Sequence, residues 1–123
     1  MLNHMVSDAS PALDLVFHAL AHPARRSMLR RLMDGELNLS ELAAPFKMSF
    51  PAASKHVRVL ERARLVSRRV VGRDHFCRLE AQPLAEANEW LEAYREIWEH
   101  RFQRLDALLE DLKAEERKPG RKR

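Results

Sequence analysis

The chain has 123 residues and a formal net charge of +4, and its composition is 46% hydrophobic and 33% charged. These values indicate one folded domain and exclude an intrinsically disordered chain. The single cysteine, Cys77, excludes an internal disulfide bond and favours a reducing, cytoplasmic setting. No apolar stretch approaches the ~20 residues of a membrane-spanning helix, so we expect no membrane partner.

Charge is distributed unevenly along the chain. Residues 22–79 contain 13 Lys and Arg against 5 Asp and Glu, whereas residues 80–116 contain 4 against 11. A segment with such an excess of positive charge predicts a polyanionic partner, and the phosphate backbone of DNA is the most common one.

The first half of the chain predicts three helices. Residues 1–12 are expected to form a flexible arm, and the helix that follows carries four apolar side chains on one face, namely Leu13, Val16, Phe17 and Leu20. Pro23 interrupts this helix and suits the first turn of a second one, which ends near Gly35. A short third helix follows, with Ser40 either as its N-cap or in its first turn.

The stretch "MSFPAASKHVRVL" at residues 48–60 predicts a fourth helix. Ser49 is a good N-cap, Pro51 is tolerated in the first turn, and Val57 and Leu60 face inward. After residue 64 the period changes, and "LVSRRVVGRDHFCRL" predicts a β-hairpin with its tip near Gly72.

From residue 83 to about residue 116 the apolar spacing predicts one long helix. A helix of ~30 residues is ~45 Å long, more than a domain of this size can cover. Part of its apolar stripe therefore needs a partner, and a second copy of the chain is the simplest. The basic tail, residues 117–123, is expected to be disordered.

This order of elements predicts a mainly α fold with a small β-hairpin, a winged helix-turn-helix with a long C-terminal dimerisation helix. In such folds the N-terminal residues of the fourth helix enter the major groove of double-stranded DNA, and the hairpin suits the minor groove. Arg25 and Arg26 are expected to add phosphate contacts. The predicted DNA-binding residues are Ser49, Phe50, Ala52, Ala53, Ser54, Lys55, His56 and Arg58 on the helix, and Arg68, Arg69 and Arg73 on the hairpin.

Phe50 has two interpretations. A phenylalanine cannot make a bidentate contact with adenine, but it can pack against the methyl group of thymine. Alternatively, its ring fixes the start of the helix onto the core as a hydrophobic staple. The sequence leaves both open.

Three stretches, "LAHPARR", "SKHVRVLERA" and "GRDHFCRL", resemble the winged-helix core of the arsenic-repressor (ArsR/SmtB) family of bacterial regulators. The C-terminal "EWLEAYREIWEHRFQRLDALL" is similar to a branch of that family without metal sites. Arg64 departs from the family, which usually has Gly at the end of this helix. The resemblance implies a repressor that binds a palindromic operator as a homodimer built from the first and last helices, with an interface of Leu13, Val16, Phe17, Leu20, Leu91, Tyr94, Trp98, Leu105 and Leu108.

We expect no metal or other cofactor. Many relatives hold a metal through a Cys-x-Cys pair in the region that here reads "ELNLSELAAPF", which has no cysteine. His18 and His22 have the i, i+4 spacing of metal ligands, but Pro23 should pull His22 out of the helix. His75 and Cys77 share a strand face and are too few for a closed site. A zinc-type, metal-responsive repressor of the same fold remains an alternative.

Two further alternatives concern the last helix. Its acidic surface could make the chain a protein-interaction module in which DNA contact is secondary. Its aromatic stripe could bind a small hydrophobic effector between subunits, although a dimer core is the simpler interpretation. The sequence has no Gly-rich phosphate loop, no nucleophile elbow and no carboxylate pair in an apolar setting, so we expect the protein to have no enzymatic activity.

Overall fold

The computed structural model describes residues 8–117 and confirms a mainly helical fold with a small antiparallel sheet. Residues 1–7 and 118–123, most of the predicted arm and of the predicted basic tail, lie outside the described residues. The first helix begins at Pro11, two residues earlier than predicted. The elements are α1 (Pro11–Leu20), α2 (Pro23–Leu32), β1 (Leu37–Asn38), α3 (Leu39–Ala43), α4 (Phe50–Arg62), β2 (Val66–Val71), β3 (Asp74–Leu79) and α5 (Gln82–Arg117).

Side-chain caps define where the first four helices begin. Ser10 Oγ accepts the Leu13 N–H at 3.2 Å, and Ser49 Oγ accepts the Ala52 N–H at 3.2 Å, which confirms Ser49 as the N-cap of α4. Asn38 and Glu41 form a capping box at α3, so Ser40 lies in the first turn and is not the cap. A cap satisfies an N–H group that the helix leaves free, and each stabilises its helix by about 1 kcal/mol.

The core lies among α1 to α4 and the sheet. Its largest fully buried side chains are those of Met28, Leu42, Val57, Leu60, Leu65 and Cys77. Leu13 and Val16 of α1 belong to the same core, with 5% and 3% of their surfaces exposed. Because these two side chains are already buried within one protomer, they offer almost no surface to a second copy. Their predicted role in dimer contact is therefore corrected to a role in the core.

Helix α4 ends at a left-handed residue that is not glycine. Arg64 has φ 62°, the one non-glycine residue of the described chain with positive φ. The Leu65 N–H donates to the Leu60 carbonyl at 3.0 Å and the Arg64 N–H donates to the Glu61 carbonyl at 2.9 Å. This is the Schellman motif, and both Leu60 and Leu65 are fully buried, as that motif favours. The turn thus has the geometry that a glycine would give, although it holds an arginine.

The sheet has the strand order β1-β3-β2. Strands β2 and β3 form the predicted hairpin, hereafter the wing, in which Val71 pairs with Asp74 across a two-residue turn of Gly72 and Arg73. Gly72 has φ 61°, a conformation at the first turn position that glycine adopts without strain. Strand β1 was not predicted, because two residues are too few to show a periodicity.

The described chain forms two compact units that divide between Glu89 and Trp90. In the second unit, nine apolar side chains of α5 remain about half exposed: Leu91, Tyr94, Ile97, Trp98, Phe102, Leu105, Leu108, Leu109 and Leu112. The search for membrane spans among the described residues found no helix with the length and apolar character required.

Candidate nucleic-acid interface

The exposed side of α4 carries most of the residues that the sequence assigns to DNA. Lys55 and Arg58 are exposed, and neither side chain makes an ion pair or hydrogen bond within the described chain. Phe50 is 52% exposed at the first position of the helix. Ser49 is exposed, and Ala52 and Ser54 are half-buried. These side chains form one surface that combines small groups, one aromatic ring and two free cations.

Ala53 does not belong to this surface. Its side chain is fully buried, so it has no surface to offer DNA and its predicted DNA contact is corrected. At the fourth position of the helix, Ala53 lies on the side that packs against the core with Val57 and Leu60.

Arg25 of α2 contacts the ring of His56 and fixes its position. The Arg25 Nη1 atom lies 3.1 Å from His56 Nδ1, and the rings of His56 and His22 have centroids 4.4 Å apart. A guanidinium group can only donate, so His56 Nδ1 must accept. The neutral imidazole therefore carries its proton on Nε2, which leaves His56 with one N–H donor in a defined position.

The charge state of His56 follows from the same surroundings. Burial lowers the pKa of His56, and the nearby His22, Arg25 and Lys55 lower it further. These surroundings favour the neutral ring, because a proton on Nδ1 would replace an accepted hydrogen bond by repulsion between two cations.

Arg25 itself is buried, with 8% of its surface exposed. Its Nε donates to the Ala19 carbonyl at 2.7 Å and its Nη2 donates to the His18 carbonyl at 2.9 Å. Arg25 therefore joins the C-terminus of α1 to α4 and is not free for the phosphate contact expected of it. Arg26 also donates to α1, through Nη1 to the Leu20 carbonyl at 2.7 Å, although it is exposed.

The three predicted arginines of the wing have different surroundings. Arg68 donates to both oxygens of Glu61, at 2.8 and 3.0 Å, and these hydrogen bonds raise its pKa. Arg69 donates to Glu36 at 2.8 Å and lies over the ring of Phe76. Arg73, in the turn, is exposed and unpaired within the described chain. Arg73 is thus the wing arginine that is free for a phosphate or a groove.

The residues considered as metal ligands have structural roles or are buried. His22 is outside the helices, as expected, and its Nδ1 accepts the Ala24 N–H at 3.1 Å as the N-cap of α2. Cys77 is fully buried, and burial raises the pKa of its thiol although Arg68 acts in the opposite direction. His75 Nδ1 lies 3.2 Å from Arg68 Nη1. Among residues 8–117, no three His, Cys, Asp or Glu side chains are grouped so that they could hold a metal ion.

Sequence inspection missed the partners of the cations, Glu36 and Glu61, and the burial of Arg25. The pairs join residues that are 33 and 7 positions apart in the sequence, across elements, so no local spacing marks them.

Comparison with known proteins agrees with this geometry. Residues 20–69, from the end of α1 into the wing, match a helix-turn-helix domain family. The chain is 40% identical over 72 residues to the HTH-type transcriptional regulator Rv2034 of Mycobacterium tuberculosis, covering 58% of this chain and 67% of that protein. It is 35% identical over 96 residues to the transcriptional repressor SmtB homolog of Synechocystis, covering 78% of this chain and 68% of the relative.

A solved structure extends the match to the fold. The crystal structure of an ArsR family transcriptional regulator is similar with a TM-score of 0.71 and 36% identity, covering 76% of this chain and 97% of that one. A helix-turn-helix with a cationic helix surface and a β wing defines a DNA-binding transcriptional regulator of the winged-helix class. Within that class, the chain belongs to the ArsR/SmtB family, as its sequence indicates.

Proposed function

We propose that this protein is a homodimeric repressor that binds a palindromic operator. The observation that carries the proposal is the exposed surface of α4, where Lys55 and Arg58 are unpaired next to Ser49, Ala52 and Ser54. The Synechocystis relative is named as a transcriptional repressor, which supports repression as the direction of regulation.

The proposed contacts fall into two kinds. Lys55, Arg58 and Arg73 neutralise phosphates and provide most of the affinity. Ser49, Phe50, Ala52, Ser54 and the His56 Nε2–H approach base edges and provide the sequence preference. Arg69 contributes only after it leaves Glu36, and Arg68 serves mainly to join the wing to α4.

The proposed dimer uses the exposed apolar side of α5. The residues assigned to it are Leu91, Tyr94, Trp98, Leu105 and Leu108, with Phe17 and Leu20 of α1, which are half-buried. A helix with this much exposed apolar surface gains stability by covering it with a second copy. Two wings and two α4 helices would then address half-sites ~10 base pairs apart.

The remaining parts of the proposal follow from DNA as the partner. A regulator of this class works in the cytoplasm, where the chromosome lies, and we assign it no catalytic activity and no cofactor. A small hydrophobic effector at the α5 stripe would act by changing the distance between the two α4 helices.

A binding assay with selected DNA tests the proposal. Duplexes are selected from a random-sequence pool with the purified protein, and fluorescence anisotropy then compares the selected duplex with a scrambled one at two salt concentrations. We expect a palindromic consensus, affinity about a thousandfold or more above that for the scrambled duplex, and a strong decrease with salt. Equal binding to both duplexes at moderate salt would contradict the proposal.

A further inference from the structure

Phe50 is a large apolar side chain on a surface that otherwise holds small or cationic groups. It is 52% exposed, it follows the exposed N-cap Ser49, and the side chain one turn further along the same side of α4 is the half-buried Ser54. A single exposed apolar residue is common on protein surfaces and needs no function. The position of Phe50 is what makes it informative, because it is the first residue of the helix assigned to the major groove.

The structure does not support the alternative in which Phe50 staples α4 to the core. A hydrophobic staple joins the residue before the N-cap to the fourth residue of the helix. With Ser49 as the N-cap, those two positions are Met48, which is half-buried, and Ala53, which is fully buried. Phe50 occupies neither position, and half of its surface remains exposed. Phe50 is therefore not the staple of α4.

A phenylalanine ring can recognise only one kind of group in the major groove. It has no hydrogen-bond donor or acceptor, so it cannot read the polar edges of adenine, guanine or cytosine. The C5-methyl group of thymine is the apolar group that the major groove presents.

We propose that Phe50 packs against a thymine methyl group and specifies thymine at one position of each half-site. This inference rests on the proposed function, because it needs α4 in the major groove.

Uracil provides a direct probe, because it differs from thymine only by the missing methyl group. The selected duplex is prepared with deoxyuridine in place of thymidine, first at all positions and then at one position at a time. Wild-type protein should bind about fourfold more weakly for each contacted thymine, which corresponds to the ~0.8 kcal/mol of burying one methyl-sized group. When uracil replaces the contacted thymine in both half-sites, the two fold losses of affinity should multiply.

Four variants test whether the difference in affinity between the thymine and uracil duplexes comes from Phe50. Phe50→Ala should bind the thymine and uracil duplexes with equal affinity, whereas Phe50→Leu should keep part of the difference. Lys55→Ala should weaken binding to both duplexes by the same factor, because its proposed contact is a phosphate. Met33→Ala, a change at another exposed apolar side chain (71% exposed), should behave as wild type.

Each result decides the proposal. If Phe50→Ala is the one variant that loses the thymine preference completely, the proposed contact of Phe50 with thymine is supported. If wild type binds the thymine and uracil duplexes equally, that contact is overturned. The proposed function still stands in that case, provided that the affinity for the selected duplex exceeds that for the scrambled one. A thymine preference that persists unchanged in Phe50→Ala overturns it in favour of another reader. A wild type without preference for the selected duplex refutes the proposed function and this inference together.

Discussion

Arg58 and Arg68 have the same side chain and both are predicted to bind DNA, but their surroundings in the structure differ. Arg58 is exposed on α4 and unpaired within the described chain. Arg68 holds Glu61 with two hydrogen bonds, and its side chain is 18% exposed. A cation that is already paired must leave its carboxylate before it can neutralise a phosphate. We therefore expect Arg58 to contribute to DNA binding and Arg68 to contribute to the stability of the fold.

Alanine at each position separates the two roles. Arg58→Ala should lower DNA affinity and reduce the slope of log K against log salt by about 0.9 for each protomer, with stability unchanged within about 0.5 kcal/mol. Arg68→Ala should lower the free energy of unfolding by about 2 kcal/mol, because Glu61 loses its partner, and should leave the salt slope unchanged. Anisotropy at several salt concentrations and urea unfolding measure both. A salt slope that falls in Arg68→Ala would show that Arg68 contacts phosphate.

Among single elements, α4 depends on what holds its two ends and its inner side. Ser49 caps its start, the left-handed Arg64 closes its end, and Arg25 holds His56 in the middle. Arg25 also binds the last carbonyls of α1, so three helices meet at one guanidinium group.

The end of α4 should become more stable with glycine. Arg64 adopts φ 62°, which costs a residue with a Cβ atom about 1 kcal/mol, and Gly removes this strain. We expect Arg64→Gly to raise the free energy of unfolding by about 0.5–1 kcal/mol in urea titrations. The matched control is Arg62→Gly, the same change two residues earlier within the helix, which should lower it by about as much. Destabilisation by both changes would show that Arg64 is not strained.

The pH dependence of stability should report the contact between Arg25 and His56. Because the pKa of His56 is lower in the folded protein, the unfolded chain binds the proton more readily. This contribution is complete above the unfolded pKa of about 6.5 and is lost as the pH falls from there through the lowered value. His56→Gln, whose amide oxygen can still accept from Arg25, should remove that part of the dependence.

Urea unfolding at several pH values between 5 and 8 measures the difference between the variants. His100→Gln, at an exposed position of α5, is the control and should keep the wild-type dependence. The same dependence in His56→Gln as in wild type would contradict a proton-sensitive contact at Arg25.

At the scale of the whole molecule, the proposed dimer depends on the apolar side of α5. Leu105→Glu places a charge among the exposed apolar residues, so we expect a monomer in sedimentation velocity and a large loss of operator affinity. Gln103→Glu adds the same charge two positions away, at another exposed residue, and should keep both properties. A dimer that survives Leu105→Glu would require a different interface.

Much of this architecture could be predicted from the sequence, for physical reasons that differ between elements. The starts of α2 and α4 could be predicted because Pro23, Ser49 and Pro51 favour a helix start through contacts within a single turn. The hairpin was readable because its turn needs Gly72. The burial of Leu13 and Val16 could not be predicted, because a helix has the same apolar face whether that face packs in its own core or against a second copy. The capping box of α3 did have a local signal, Asn38 followed three residues later by Glu41, which sequence inspection overlooked.

The arginines that are paired within the chain also affect how strongly the regulator binds DNA of arbitrary sequence. Six of the 13 Lys and Arg in residues 22–79 donate to carbonyls or carboxylates of the same chain: Arg25, Arg26, Arg31, Arg68, Arg69 and Arg78. Sequence-independent affinity grows with the number of phosphates neutralised, so a chain that keeps these cations occupied is held less strongly by ordinary genomic DNA. The free protein then spends less time on incorrect sites, and base contacts account for a larger share of its binding to a preferred sequence.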